Sequence, residues 1–441
     1  MRAGIYRKHI FYTAAVLATV TGACKKSGVF LEKKIPEVTL SGSRLSENVI
    51  SLTKDTVYVL AANLTRQANQ QLLVEAGTLI KVKNNVGIVI ENGGKITANG
   101  TKDAPVVFTS DALKGTSGTS PLGTSNGWSG IIINGPTACS ISYVRIEFAG
   151  TGNTASLSLR NLDNTAVLNY IQVSYSIFAP AFEFTGGNCK AGNLVSYASS
   201  GTDFIFSNSY RGSVQHALAY RHPYFITNIN AIAGVYIQGT GTFPAVSNVS
   251  VIGPDKQNGT ATKYSDMVGG FSGGRVAALL VTNGAKFHIR NSVFAGFPKA
   301  GFYIDSKESG DSLQFGVSDF TYNAVHSNDT NRVFYIPSNL IPSNPPITAK
   351  DFKSFMLQPQ FHNRLFLTTA GFAFTDPYNY DVNPNPQPQA GSPLLTGANF
   401  DGPFFGNTAF FKPVTYIGAL GTDNWLQGWT NFIPLQTNYN N

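Results

Sequence analysis

The chain has 441 residues and a formal net charge of +8, yet only 13% of its residues are charged, against roughly 25% in an average globular domain. Residues 1–34 hold seven Lys or Arg and one Glu, so +6 of the charge lies there and +2 remains for everything after. That balance excludes nucleic acid as a partner, which calls for a basic face on the folded part, and the 44 glycines with abundant Asn, Ser and Thr fit an extracytoplasmic β protein better than a cytosolic enzyme.

In chain order, Arg2, Arg7 and Lys8 precede an apolar stretch over 10–20 that is too short to span a bilayer permanently. Thr21, Gly22, Ala23 and Cys24 follow and resemble a bacterial lipobox, with Thr21 in place of the usual leucine. The expectation is a lipoprotein signal peptide over 1–23, lipidation at Cys24 and a tether over 24–45. Lys25, Lys26, Lys33 and Lys34 of the tether would lie near anionic head groups or in solvent. The protein is thus expected to be exported and held by a lipid anchor as an outer membrane lipoprotein, on the periplasmic or the cell-surface side.

From Val57 the chain is written in short apolar-polar pieces separated by Gly and Asn doublets, and they return about every 22 to 24 residues. Strands of about four residues suit a solenoid in which each pairs with its equivalents one turn above and below. We therefore predict an all-β, right-handed parallel β-helix over 46–310. Asn169, Asn193 and Asn291 recur at one place in the repeat, as side chains stacked at a tight corner would. Cys139 and Cys189 lie close to two repeats apart, which separates them by roughly 10 Å along the axis and predicts two buried free thiols. Lys114 to Asn126 and Gly253 to Gly274 interrupt the rhythm and read as tolerated loops or binding excursions.

After Asp311 the repeat fades. Residues 404–432 are crowded with aromatics, including Trp425 and Trp429, and 311–441 reads as loops that fold back along the rod and end in an irregular, aromatic-rich cover over its last turn. The same aromatics could instead form a carbohydrate-stacking platform.

Leu72 to Lys81, Gly93 to Thr101, Gly127 to Ile133 and Tyr143 to Gly150, together with Ala390 to Leu395 and Tyr416 to Phe432, resemble the right-handed parallel β-helix lipoproteins of Gram-negative bacterial surfaces. The resemblance implies a fold and an address and no reaction.

Many parallel β-helices act on polysaccharides, through carboxylates holding Ca²⁺ beside a basic residue or through grouped aspartates. Neither motif is legible here. The nearest catalytic groups are Asp203 with Arg211 and Arg221, and Asp266 with Lys263 and Arg275, which could each face one groove or be scattered surface charges. His216 and His222 frame a strand without a second ligand pair. Asp305, Glu308 and Asp311 form the most acidic stretch and could hold Ca²⁺, although no cofactor is required by the pattern. Tyr143, Tyr175, Tyr197, Tyr220 and Tyr236 recur about once per turn, so that outward rings would make a stacking strip for sugars and inward rings a core. The favoured expectation is a non-enzymatic surface for adhesion or glycan binding, with polysaccharide or another surface protein as partner. The alternative is a lyase or glycoside hydrolase of the pectate-lyase-like type.

Overall fold

A computed structural model describes residues 35–441 except 113–126, 152–153, 178, 223–230, 254–274, 298–299, 341–350, 380–383, 407 and 440–441. The strands are short because Gly, Asn or Pro interrupts them every four to eight residues, and each then needs a neighbour to satisfy its backbone. Nearly all those neighbours are parallel strands one turn away, in a 17-stranded and a 10-stranded sheet. The protein is a parallel β-helix, and among the described residues short α-helices lie at Lys307–Gln314 and Phe352–Met356.

Each turn has three sides. The 17-stranded sheet bends to supply two of them. The first side runs from Val49–Leu52 through Gln71–Val74 and Lys95–Asn99, and the second from Glu37–Leu40 through Val57–Leu60, Leu79–Val82 and Val106–Ser110. From Ala138–Glu147 onward single strands such as Val167–Ser174, Lys190–Tyr197 and Ser213–Tyr220 cover both sides. The third side is the ten-stranded sheet, from Leu64–Arg66 to Phe334–Tyr335.

The coil is longer than the span 46–310 expected from the sequence. Glu37–Leu40, placed in the tether by sequence, already pairs with Val57–Leu60, and at the other end Val325 pairs with Leu365. Its turns are also less regular, since Glu37 pairs with Val57 after 20 residues and Ser247 with Arg290 after 43. Connections on the outside can lengthen at little thermodynamic cost.

Inside, alternate residues of every strand stack on their counterparts. Phe182 lies over Phe204 at 5.0 Å and Phe184 over Phe206 at 5.1 Å, between further rungs of Ile, Leu and Val. Cys139 and Cys189 are free, buried and two rungs apart, because Ile141 pairs with Leu168 and Leu168 with Ala191. Burial pushes both thiols up to about 12. At the first turn Arg66 points inward, is fully buried, and donates to the carbonyls of Thr65 at 2.7 Å, Glu47 at 2.6 Å and Leu45. At the last turn Phe352 and Met356 of the second helix close the interior over Phe302 and Phe334.

From the strand Ala138–Glu147 onward, the bend between the first and second sides is a left-handed residue: Tyr143, Tyr170, Asn193, His216, Asn248, Asn291 and Tyr322, with φ between 49° and 59°. Asn193 and Asn291 share this position as the sequence suggested. Asn169 does not, for it pairs with Gly192 and stands one residue earlier. Asn tolerates this conformation because its short polar side chain bonds locally, whereas Tyr and His there need support from outside.

Candidate functional site

That support comes from the C-terminal arm, residues 393–439, which turns back and runs along the outside of the coil over the bend and the second side. Side-chain amides hold its backbone as a neighbouring strand would. Gln172 Nε2 donates to Asn431 O at 2.7 Å while Asn431 N donates to Gln172 Oε1 at 2.8 Å. Gln215 makes the same pair of bonds with Lys412, both at 2.8 Å, and Asn291 with Asn399 at 2.9 and 2.8 Å. Asn248 Nδ2 donates to Tyr416 O at 2.9 Å. Each amide presents one donor and one acceptor, as a peptide group does, which is why Gln and Asn serve on these rungs.

The arm decides the fate of the aromatic residues singled out from sequence. Tyr143 and Tyr170 stack on each other at 4.3 Å, and both meet Trp429 edge-on at 5.8 and 5.9 Å. Trp429 is buried and Trp425 half-buried against it. Tyr175, Tyr197 and Tyr220 are buried as well, the last two beneath Phe432. The expected open strip of Tyr143, Tyr175, Tyr197 and Tyr220 is therefore a packed interface, because ring faces that could bury sugar bury the arm instead. The aromatic segment also covers the flank of the coil and not its last turn, where Phe352 and Met356 sit.

Asp203 and Arg221 are brought together, but inside the protein. Asp203 Oδ2 lies 2.7 Å from Arg221 Nη1, Ser196 Oγ donates to Oδ1 at 2.6 Å, and Arg221 also donates to the carbonyls of Gly201 and Ser199. Both side chains are essentially without solvent exposure, so they form a structural pair and not a catalytic one. Burial pushes the Asp203 carboxyl up, and Arg221 and Ser196 oppose that rise. Arg211 stays exposed and donates to Gly241 O, away from this pair. Asp266 and Lys263 lie outside the described residues, as do the side chain of Arg275 and Cys24. His216 occupies the bend and His222 follows the far end of the same strand, so the two do not share a face.

The acidic stretch is a helix start and not a cation loop. Ser306 caps Lys307–Gln314, Glu308 accepts from Ser306 Oγ at 2.7 Å, and Asp311 pairs with Lys307 at 2.9 Å. Among the described residues no group of three His, Cys, Asp or Glu side chains is placed to hold a metal ion.

A different carboxylate is drawn out by the fold. Glu147 is 1% exposed on the second side, where its Oε1 accepts from Tyr439 Oη at 2.8 Å. Burial raises this carboxyl, with Arg145 and Tyr439 opposing. Sequence reasoning missed it because Tyr439 is 292 residues away.

Away from these arm contacts lie the first side over its early rungs, where Asn99 is exposed, and the third side, where Leu280 and Thr282 are fully buried. On the first side Asn99 Oδ1 accepts from Ser140 Oγ at 3.0 Å and Ser142 Oγ at 3.1 Å of the next rung, and Thr97, on the rung of Asn99, is the register partner of Ser140. On the third side two outward columns run in register. One passes through Ser158, Glu183, Ile205, Tyr236, Leu280, Tyr303 and Tyr335. The other passes through Asn134, Arg160, Thr185 and Ser207, and later Gln238, Thr282 and Asp305. Of the recurring tyrosines only Tyr236 falls here. Tyr303 and Tyr335, which sequence reasoning passed over, complete the column, and the alternation within Ala300–Asp305 was the signal that could have found Tyr303.

A pectate-lyase-like beta helix domain model matches residues 43–139 and 136–339. The chain belongs to that family. No curated protein and no solved structure matches it. Membership in the pectate-lyase-like family agrees with the parallel coil and identifies no reaction.

Proposed function

We propose that this member of the family is a membrane-anchored extracytoplasmic protein that presents the open sides of its coil for adhesion or glycan binding, without catalysing a reaction. The observation that carries the proposal is the in-register array of neutral hydrogen-bonding side chains, in which Thr97, Asn99, Ser140 and Ser142 stand on adjacent rungs of a rigid sheet. Such an array offers repeated donors and acceptors at the rung spacing of about 4.8 Å, which suits a polymer of repeated hydroxyls. The leader that ends at Ala23, followed by Cys24, supports export and a lipid anchor on the outer membrane. A second reading, a polysaccharide lyase or hydrolase, is favoured by the family description.

A glycan-array and depolymerisation screen, with and without Ca²⁺, separates the two. Retention without chain cleavage is expected, and cleavage would overturn the binding reading. For the anchor, Cys24→Ala should move the protein from the membrane fraction to the soluble fraction; unchanged partitioning would remove the lipid from the account.

A further inference from the structure

We propose that His288 and His216 make the C-terminal arm an acid-released strap, in which protonation of the two rings loosens the arm's hold at Phe404 and Tyr416 while the coil itself stays folded. His288 stands outward on the first side, 4% exposed, between the ring of Phe243 at 4.5 Å and that of Phe404 of the arm at 3.5 Å. Among the described residues neither of its ring nitrogens has a hydrogen-bond partner. His216 sits half-buried at the bend, its ring 6.0 Å from that of Tyr416 of the arm, and among the described residues its Nδ1 has no partner either. Both rings lie under the arm. Lifting the arm returns them to water, so an added proton favours the lifted state.

The charges around each ring keep that sign. Beside His288, Arg290 lies two residues along the same strand, exposed Lys286 two residues before it, and Asp319 is its register partner on the next rung. On the preceding rung its partner is Ala245. The Asp319 carboxylate is already bound by Arg290, which also donates to Asp401 O of the arm, and the Asp401 carboxylate accepts from Asn399 Nδ2. Burial first and Arg290 second lower His288 from 6.5 to about 4, and the phenyl faces on either side do not make up the difference. Around His216 the bend supplies neutral Asn193 and Asn248, and the arm supplies Tyr416, Lys412 bonded through its backbone to Gln215, and Asp423 acting on Tyr416. Burial lowers His216 to about 4 against the opposing backbone of Ala419. The closed arm is therefore fully favoured above pH 6.5 and loses that advantage as pH falls toward 4. The far end of the arm responds differently, because Tyr439 donates there to Glu147, whose buried carboxyl is raised despite Arg145 and so tolerates a proton.

The test is hydrogen exchange of the full-length protein at about pH 5 and about pH 7.5, corrected for the intrinsic rate. Peptides within 396–406 and 408–420 should open at least about tenfold more often at the lower pH, while the strands Ala231–Gln238 and Arg275–Thr282 and residues 425–439 stay within about twofold. His288→Phe keeps the ring stack, and His216→Asn places at the bend the residue found there at Asn193, Asn248 and Asn291, so the two changes remove both titrating rings and keep the local packing. In that double variant the acid effect should shrink to within about twofold. Should the pair fail to fold, His288→Phe alone should reduce it at least about threefold. An acid effect undiminished in these variants would assign it to carboxylates and overturn the strap. So would an arm that stays closed in the wild type at about pH 5, or third-side strands or residues 425–439 that open together with it.

Discussion

Asp203 and Arg221 carry opposite charges where almost no water reaches, and removing one strands the other. Asp203→Ala should cost about 3–5 kcal/mol in denaturant unfolding, whereas Arg211→Ala, on the surface, should stay within about 0.5 kcal/mol. Equal effects of the two would contradict the buried pair. The histidines set a pH dependence of definite sign. Burial lowers His216, His288 and His326 from 6.5 to about 4, so the unfolded chain takes up their protons first. Their contribution is complete above pH 6.5 and is lost as pH falls toward 4. Glu147 acts in the opposite sense, because its raised carboxyl favours the folded state below its ordinary value of 4.5 and that contribution fades as pH rises through the raised value. Thermal midpoints measured against pH should therefore fall on the acid side, and Glu147→Gln should raise the midpoint on the alkaline side relative to wild type.

The arm illustrates what a sequence conveys about an element and what it withholds. Strand positions were legible because alternation and punctuation are local, and so was the separation of the two thiols. The faces of the tyrosines were not. A left-handed residue at the bend breaks the two-residue alternation, so Tyr143 at the bend and Tyr197 beyond it cannot be referred to one another by counting. Asn169 misses the predicted ladder because the rung from Tyr170 to Asn193 spans 23 residues, one fewer than the 24 that separate the two asparagines. Arm docking was illegible for another reason: Gln172 and Asn431 are 259 residues apart, and nothing in an isolated Gln announces that it will stand in for a peptide. Gln215→Ala removes both bonds to Lys412 and leaves a backbone N–H and a carbonyl to find new partners, at about 1–3 kcal/mol. Hydrogen exchange should show faster opening of residues 408–420 in that variant, with the strands of the third side unchanged.

At the scale of the whole molecule, a stack of rungs in contact only with their neighbours has stability close to a sum of nearest-neighbour terms, and its ends can fray independently. The arm alters that, since it joins Asn291 to Gln172 and the intervening rungs through one continuous segment. Wild-type unfolding should be a single sharp transition. The Gln215→Ala, Asn291→Ala double variant should broaden or split it, as measured by calorimetry, and an unchanged width would show that rung stacking alone supplies the cooperativity. The inward Arg66 has a consequence of its own. An open first rung would offer aliphatic stacks and free strand edges to the last rung of another molecule, the geometry from which fibres grow. The Arg66 guanidinium, itself without exposure, ties the carbonyls of Leu45, Glu47 and Thr65 together, so the segment over 42–47 is fastened across the interior of that rung and covers aliphatic stacks an added copy would need.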